Sequence, residues 1–184
     1  MPSIVRASFV KKAFRRFGID RRASTAVEFA MIAPLFLAVI FAIAQSTLVY
    51  FAGQVLETGT RDSARLVLTH QAQDSSMNAQ AFKTDLCNRV SFLLNCAGIY
   101  IDVESYPAGT AITPYTPVDT HGNFNPASAQ YTPPSANSSS IVLVRTFYQW
   151  PLYLTGLSGI NLTNLGTNTR LLTATAAFRV EPGS

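Results

Sequence analysis

A chain of 184 residues holds one ordinary domain plus a further segment, since single domains run to about 100–150 residues, and two large domains are excluded. With 48% hydrophobic but only 13% charged residues, and a mean hydropathy of +0.20, the composition is more apolar than that of a soluble protein and points to a membrane segment. The net charge of +4 is unevenly placed: Arg6, Lys11, Lys12, Arg15, Arg16, Arg21 and Arg22 against Asp20 leave residues 1–22 at +6 and hence the rest at −2.

That basic run stands directly before an apolar stretch, where it sets membrane orientation rather than binding nucleic acid; nothing downstream resembles a nucleic-acid-binding motif. No charged side chain occurs from Phe29 to Leu56. The run Phe29–Phe51 forms a helix of about 35 Å at ~1.5 Å per residue, enough to cross a hydrocarbon core of ~30 Å. The positive-inside bias then keeps the N-terminus cytoplasmic and sends the chain beyond about residue 52 across. Pro34 removes a backbone hydrogen bond and is expected to kink the helix.

The helical pattern continues past Phe51, with Leu48, Val55, Leu56, Leu66 and Val67 apolar and Glu57/Arg61 spaced as an i,i+4 pair. One helix over 24–72 is the expectation, with Gly53 and Gly59 each disfavouring it by about 1 kcal/mol relative to Ala. A competing reading is a secreted or membrane-anchored extracytoplasmic binding protein with a signal peptide cut after Ala44, at the pattern Ala42-Ile43-Ala44, a cut that would leave a soluble product starting at Gln45. Against it, the apolar helical periodicity runs straight through Ala44 with no break.

Glu28 stands at the threshold of this segment, where an unpaired carboxylate is costly. One explanation is local: Thr25 as N-cap and Glu28 three residues on form a capping box.

After a polar break at Asp74–Asn78, Phe82, Leu86, Val90, Leu93 and Leu94 recur at helical spacing and predict a second, amphipathic helix. Its cysteines, Cys87 and Cys96, would lie where disulfides persist. Nine residues of unbroken helix would hold their Cα atoms about 13.5 Å apart, beyond the ~7 Å limit for a bridge. If they pair, the helix ends before Cys96, and Asn95 and Gly98 suit such a stop; the alternative is two buried free thiols. With His70 and His121 they show no metal-ligand spacing, and no cofactor is expected.

Tyr100–Tyr106, Ile141–Trp150 and Leu171–Val180 predict strands, the last two as antiparallel partners. Residues 107–140, rich in Pro, Ser, Thr, Gly and Asn, predict an irregular, partly mobile loop; residues 151–169 suit a packed loop or short helix. The architecture expected is α+β, a helix packed on a small antiparallel sheet.

Signals of chemistry are weak. Asp119-Thr120-His121-Gly122 superficially resembles protease motifs but falls in the most loop-like region. Gly156-Leu157-Ser158-Gly159 is not a nucleophile elbow, and no phosphate-binding loop or dinucleotide fingerprint occurs. Asp102 and Glu104 share one strand face, where solvated carboxylates are commoner than a catalytic dyad. Asn137-Ser138-Ser139 and Asn161-Leu162-Thr163 match glycosylation sequons, which are frequent by chance. Tyr148 and Trp150 suit core packing more than a partner surface. No catalytic residues are expected, and an extracytoplasmic hydrolase is the weaker alternative.

The nonapeptide Arg21-Arg22-Ala23-Ser24-Thr25-Ala26-Val27-Glu28-Phe29 resembles the processing site of type IV prepilins of the Flp and TadE-like class, and Arg21–Arg65 as a whole is similar to a TadE-like N-terminal domain. The cysteines Cys87 and Cys96 and the segments 142–151 and 171–179 are similar to TadE-type minor pseudopilins of tight-adherence (Tad/Flp) pili. The resemblance implies a non-catalytic subunit that takes part in initiating pilus assembly, in surface attachment and adhesion. It implies a cytoplasmic leader, 1–23, cut by a prepilin peptidase between Ala23 and Ser24, with Ala23 where the family usually has Gly. The mature helix, 24–72, with a span at about 29–51, would lead into a pilin-like periplasmic domain, 73–184, containing the loop 107–140. Glu28 becomes the fifth mature residue, next to Phe29, and its carboxylate would pair with the α-amino group of a neighbouring subunit and set register. The implied partners are other pilins and pseudopilins, the peptidase, the inner-membrane assembly platform and the lipid bilayer.

Overall fold

The computed structural model describes residues 21–68, 77–134, 139–153 and 161–180, with the side chains of 21–24 and 128 excepted. The leader up to residue 20, His70, most of the break at Asp74–Asn78, the sequon at Asn137 and the Gly156–Gly159 segment lie outside the described residues. The elements are helix α1, Arg21–Leu68, helix α2, Ala79–Val90, and strands β1, Ile99–Pro107, β2, Ser140–Pro151, and β3, Thr169–Val180. The strands form one antiparallel sheet in the order β1-β2-β3, so the fold is α+β. The chain divides into two compact units, one ending at Ile43 and one spanning Ala44–Ser184.

Within the second unit the sheet has two covered faces. On one face the C-terminal part of α1 and α2 bury Ala52, Leu56, Leu86, Val90 and Leu94 against Ile99, Leu172 and Ala174. Beside them Ala64, Val67 and Phe82 pack on Val103, Val142, Val144 and Val180. Each large apolar side chain removed from water here contributes about 1.5–3 kcal/mol. Tyr148 and Trp150 are half-buried against this core, as strand residues of that composition suit.

α1 runs without interruption through Pro34, Gly53 and Gly59. Gly59 is buried for a reason: a Cβ there would lie 2.5 Å from Val90 Cγ1 and 3.1 Å from Leu86 Cδ1, so its bare backbone is what lets α2 approach. The helices and sheet are also tied by polar contacts. Thr60 Oγ1 shares a 2.6 Å hydrogen bond with Thr146 Oγ1, and Ser63 Oγ donates to Asp85 at 2.8 Å.

α2 starts at Asn78, whose side chain accepts from the Ala81 N–H at 2.8 Å. It stops at Val90, and after a short turn Asn95 caps a 3-10 turn, Cys96–Gly98, by accepting from the Ala97 N–H at 3.0 Å. The stop folds Cys96 back beside Cys87, with 5.6 Å between their Cα atoms, and the two are joined as a disulfide.

The segment between β1 and β2 is irregular, but its described part is pinned rather than loose. It runs beside β1 as a partial fourth strand, through Val103 N–H to Gln130 O and Thr132 N–H to Val103 O, both 2.7 Å. Tyr100, Tyr115, Val118, Phe124 and Phe147 then form an aromatic-rich cluster with Leu165 and Leu171 on the second face of the sheet. Residues 161–168 close this face: Asn164 accepts from Leu171 N–H and donates to its carbonyl, and Gly166 N–H donates to Gly122 O at 2.8 Å.

Candidate functional site

The N-terminal half of α1 is where the sequence places the functional residues. From Thr25 to Leu48 no side chain is buried, although Phe29, Met31 and Leu35 are each more than 70% exposed. Alanine, leucine, isoleucine and phenylalanine on every side make a helix that is apolar all round, which is the pattern of a segment solvated by lipid. α1 is long and apolar enough to cross a membrane once.

Glu28 is the single charged residue between Arg22 and Glu57. It lies inside α1, as do Thr25 and Phe29, while Ala23 and Ser24 fall in the first described turn. The helix is already formed at Arg21, so Thr25 is not an N-cap and the capping-box reading of Glu28 fails. The arginines and alanines at 21–26 are strong helix formers and carry the helix N-terminally past Thr25. Farther along, Glu57 and Arg61 make the expected i,i+4 ion pair on the exposed side of α1.

A second constellation was not legible as such in the sequence. Asp102 and Glu104, expected to be solvated, instead converge on Arg145, because the β1–β2 register sets Asp102 directly opposite Arg145. The Arg145 guanidinium donates to Asp102 Oδ2 from Nε at 3.0 Å and from a terminal nitrogen at 2.7 Å, and to Glu104 at 3.2 Å. Its other nitrogen donates to the Tyr115 carbonyl at 2.9 Å, and the group stacks 4.7 Å from the Tyr115 ring centroid. Asp102 is fully buried and also accepts from the Gln130 N–H at 2.9 Å.

Burial raises the Asp102 carboxyl above its ordinary value, against the opposing pull of the Gln130 N–H and Arg145. Desolvation together with the Glu104 carboxylate, to which its hydroxyl donates, pushes the Tyr106 phenol up to about 12. The donors and acceptors of this cluster are spent on one another and on the loop backbone. Its work is to fasten the 108–134 segment over the sheet, and sequence alone could have flagged it only through the lone Arg in an apolar strand.

Asp119 and His121, read above as a superficial protease motif, form a turn. The Asp119 carboxylate accepts from the His121 and Asn123 N–H groups at 2.9 and 2.7 Å, and the Asn123 N–H above all holds its carboxyl below the usual range. Gly122 completes that turn with φ of 79°.

A family model described as TadE-like protein matches residues 23–65, which covers the exposed apolar helix and its first turns inside the folded domain. No curated protein and no solved structure matches the chain. TadE-like proteins are in general structural, pilus-associated and non-catalytic. Over residues 23–65 the chain is TadE-like, consistent with a minor-pilin-like protein of the Tad pilus system.

Proposed function

We propose that this protein is a minor pseudopilin that takes part in initiating assembly of a Tad/Flp-type pilus from the inner membrane. The observation that carries the reading is that the TadE-like segment, 23–65, contains a stretch of helix, Thr25–Leu48, in which no apolar side chain is buried and whose one charge is Glu28. A prepilin peptidase removes the basic leader between Ala23 and Ser24, and the N-terminus of the uncut chain is cytoplasmic, with the disulfide-bonded domain in the periplasm. The apolar helices of neighbouring subunits pack laterally, and the Glu28 carboxylate pairs with a neighbour's α-amino group, an attraction much stronger in lipid than in water. The assembly platform and other pseudopilins are its partners, and surface attachment is the cellular outcome.

N-terminal sequencing of the native membrane form tests the processing step: a start at Ser24 is expected, and a soluble product starting at Gln45 would overturn the proposal in favour of a signal peptide. Glu28→Ala tests the assembly step. It is expected to insert normally yet lose cross-linking to partner pilins and reduce piliation, and unchanged piliation would remove the carboxylate from the mechanism.

A further inference from the structure

The folded domain begins lower on α1 than the apolar run ends. Val49 and Ala52 are 4% and 0% exposed, packed in one cluster with Leu152. Below them the Tyr153 N–H donates to the Gln45 side-chain oxygen at 3.1 Å, so the chain after β2 grips α1 at Gln45. Residues 45–51 therefore have one side inside the domain and cannot all be surrounded by lipid tails.

The other side of that stretch is exposed among the described residues. Tyr50 and Phe51 are 71% and 50% exposed, and around them the domain presents Phe92 at 69% and Tyr153 at 84%. Phe51 and Phe92 line one open groove between α1 and the end of α2, together with Val55, and the ion-paired Asp62 and Arg89 line it too. Four aromatic rings turned outward at one end of a domain form a patch that water does not favour.

The charges near this level are engaged: Arg89 pairs with Asp62 and Asp85 at 3.8 and 3.1 Å, and Arg170 donates to the Leu162 carbonyl at 2.9 Å. Every chain stretch that contributes a ring is chargeless over a long interval: Phe29–Leu56 on α1, Val90–Ile101 after α2, and Thr146–Thr169 around the end of β2. Rings with apolar bodies and Tyr hydroxyls at some tips, with the neighbouring charges paired, are the composition found where protein meets the headgroup layer.

We propose that this collar of Tyr50, Phe51, Phe92 and Tyr153 is seated in the lipid interface of the membrane that α1 crosses, and that the hydrocarbon span is Thr25–Ala44 rather than 29–51. The proposal rests on the single-pass reading given above. The occupant is lipid because Tyr50 and Phe51 stand on the same uninterrupted helix as residues 25–44, none of whose apolar side chains is buried. Those 20 residues, at ~1.5 Å each, give about 30 Å, which matches the hydrocarbon thickness without help from 45–51. Glu28 then lies about one turn inside the cytoplasmic boundary, deeper than a span starting at Phe29 would put it.

The test uses nitroxide labels on the full chain in phosphatidylethanolamine/phosphatidylglycerol vesicles, comparing access to oxygen, which concentrates in lipid, with access to a water-soluble nickel chelate. Single substitutions Phe36→Cys, Phe92→Cys, Tyr153→Cys and Ala177→Cys carry the labels, the native cysteines being bonded to each other. Ala177 is exposed on β3, seven residues or about 23 Å along the strand from Arg170 at the collar end. Labels at 36, 92 and 153 are expected to favour oxygen, and the label at 177 the chelate. Chelate preference at 92 and 153 with oxygen preference at 36 would sink the collar alone. Chelate preference at 36 would sink the membrane reading with it. Labels at 92 and 153 shielded from both reagents would mean that another protein chain covers the patch, which also overturns the proposal.

Discussion

Gly59 and Gly53 sit six residues apart on α1, and the fold requires opposite responses to the same substitution. In an isolated helix each Gly→Ala change would stabilise by about 1 kcal/mol, because alanine loses less backbone freedom on folding. At Gly53 nothing lies within 4 Å of the new methyl, so Gly53→Ala should realise much of that gain. At Gly59 the methyl would sit 2.5 Å from Val90 Cγ1, and Val90 is a stiff β-branched side chain that is itself fully buried. Relieving the overlap means pushing α2 away from α1, and overpacking of this kind costs about 1–3 kcal/mol. The net effect of Gly59→Ala is then a loss of about 0–2 kcal/mol. Because a domain of this size shifts its Tm by about 2–4 °C per kcal/mol, the two variants should differ by several degrees in opposite directions. Thermal unfolding of the detergent-solubilised chain, followed by Trp150 fluorescence, measures both. A Gly59→Ala protein melting at or above the Gly53→Ala protein would show that the α1–α2 contact is not as close as described.

Arg145→Met leaves Asp102 buried without its partner, and removal of one member of a buried pair costs about 3–5 kcal/mol; denaturant titration should show that loss, with Asp102→Asn added in the same chain restoring part of it. Breaking the Cys87–Cys96 bridge by Cys87→Ser with Cys96→Ser, across a sequence separation of 9, should destabilise by roughly 2–3 kcal/mol when loop-closure entropy alone is counted, and no change on denaturant titration would argue that the link carries no strain-free stabilisation. Tyr106 has a folded pKa of about 12 against an unfolded value near 10, so its contribution to stability is complete below about pH 10 and is lost as pH rises toward 12. Absorbance titration of phenolate should lose its latest step in Tyr106→Phe, and an unchanged alkaline limb would contradict the Tyr106–Glu104 contact.

The parts readable from residues alone were those governed by local period and by solvent. An uncharged run of the length of Phe29–Leu56 is legible as a long apolar helix able to cross a membrane, so that helix needed no tertiary information. Alternation of β-branched and aromatic residues gave the three strands to within a residue or two, and the need for a helix end before Cys96 was legible, although the helix ends at Val90, ahead of the expected Leu93 and Leu94, and Asn95 caps the next turn instead of stopping it. The resemblance at residues 21–65 carried the functional reading, since the motif at Glu28 is short, local and linear.

Other features exist only once strands have chosen neighbours. Whether Asp102 is solvated or buried depends on which residue stands across from it, and the register that pairs it with Arg145 is set by segments 43 residues apart in sequence. The 108–134 segment reads as loose by composition, yet backbone groups of β1 and an arginine from β2 hold it, and neither partner is visible from the loop's own residues. The lower limit of the folded domain on α1 was hidden for the same reason. Hydropathy cannot distinguish lipid from a protein core, and only the packing of Val49 and Ala52 against Leu152, with Gln45 bonded to Tyr153, decides which of the two solvates that turn of the helix.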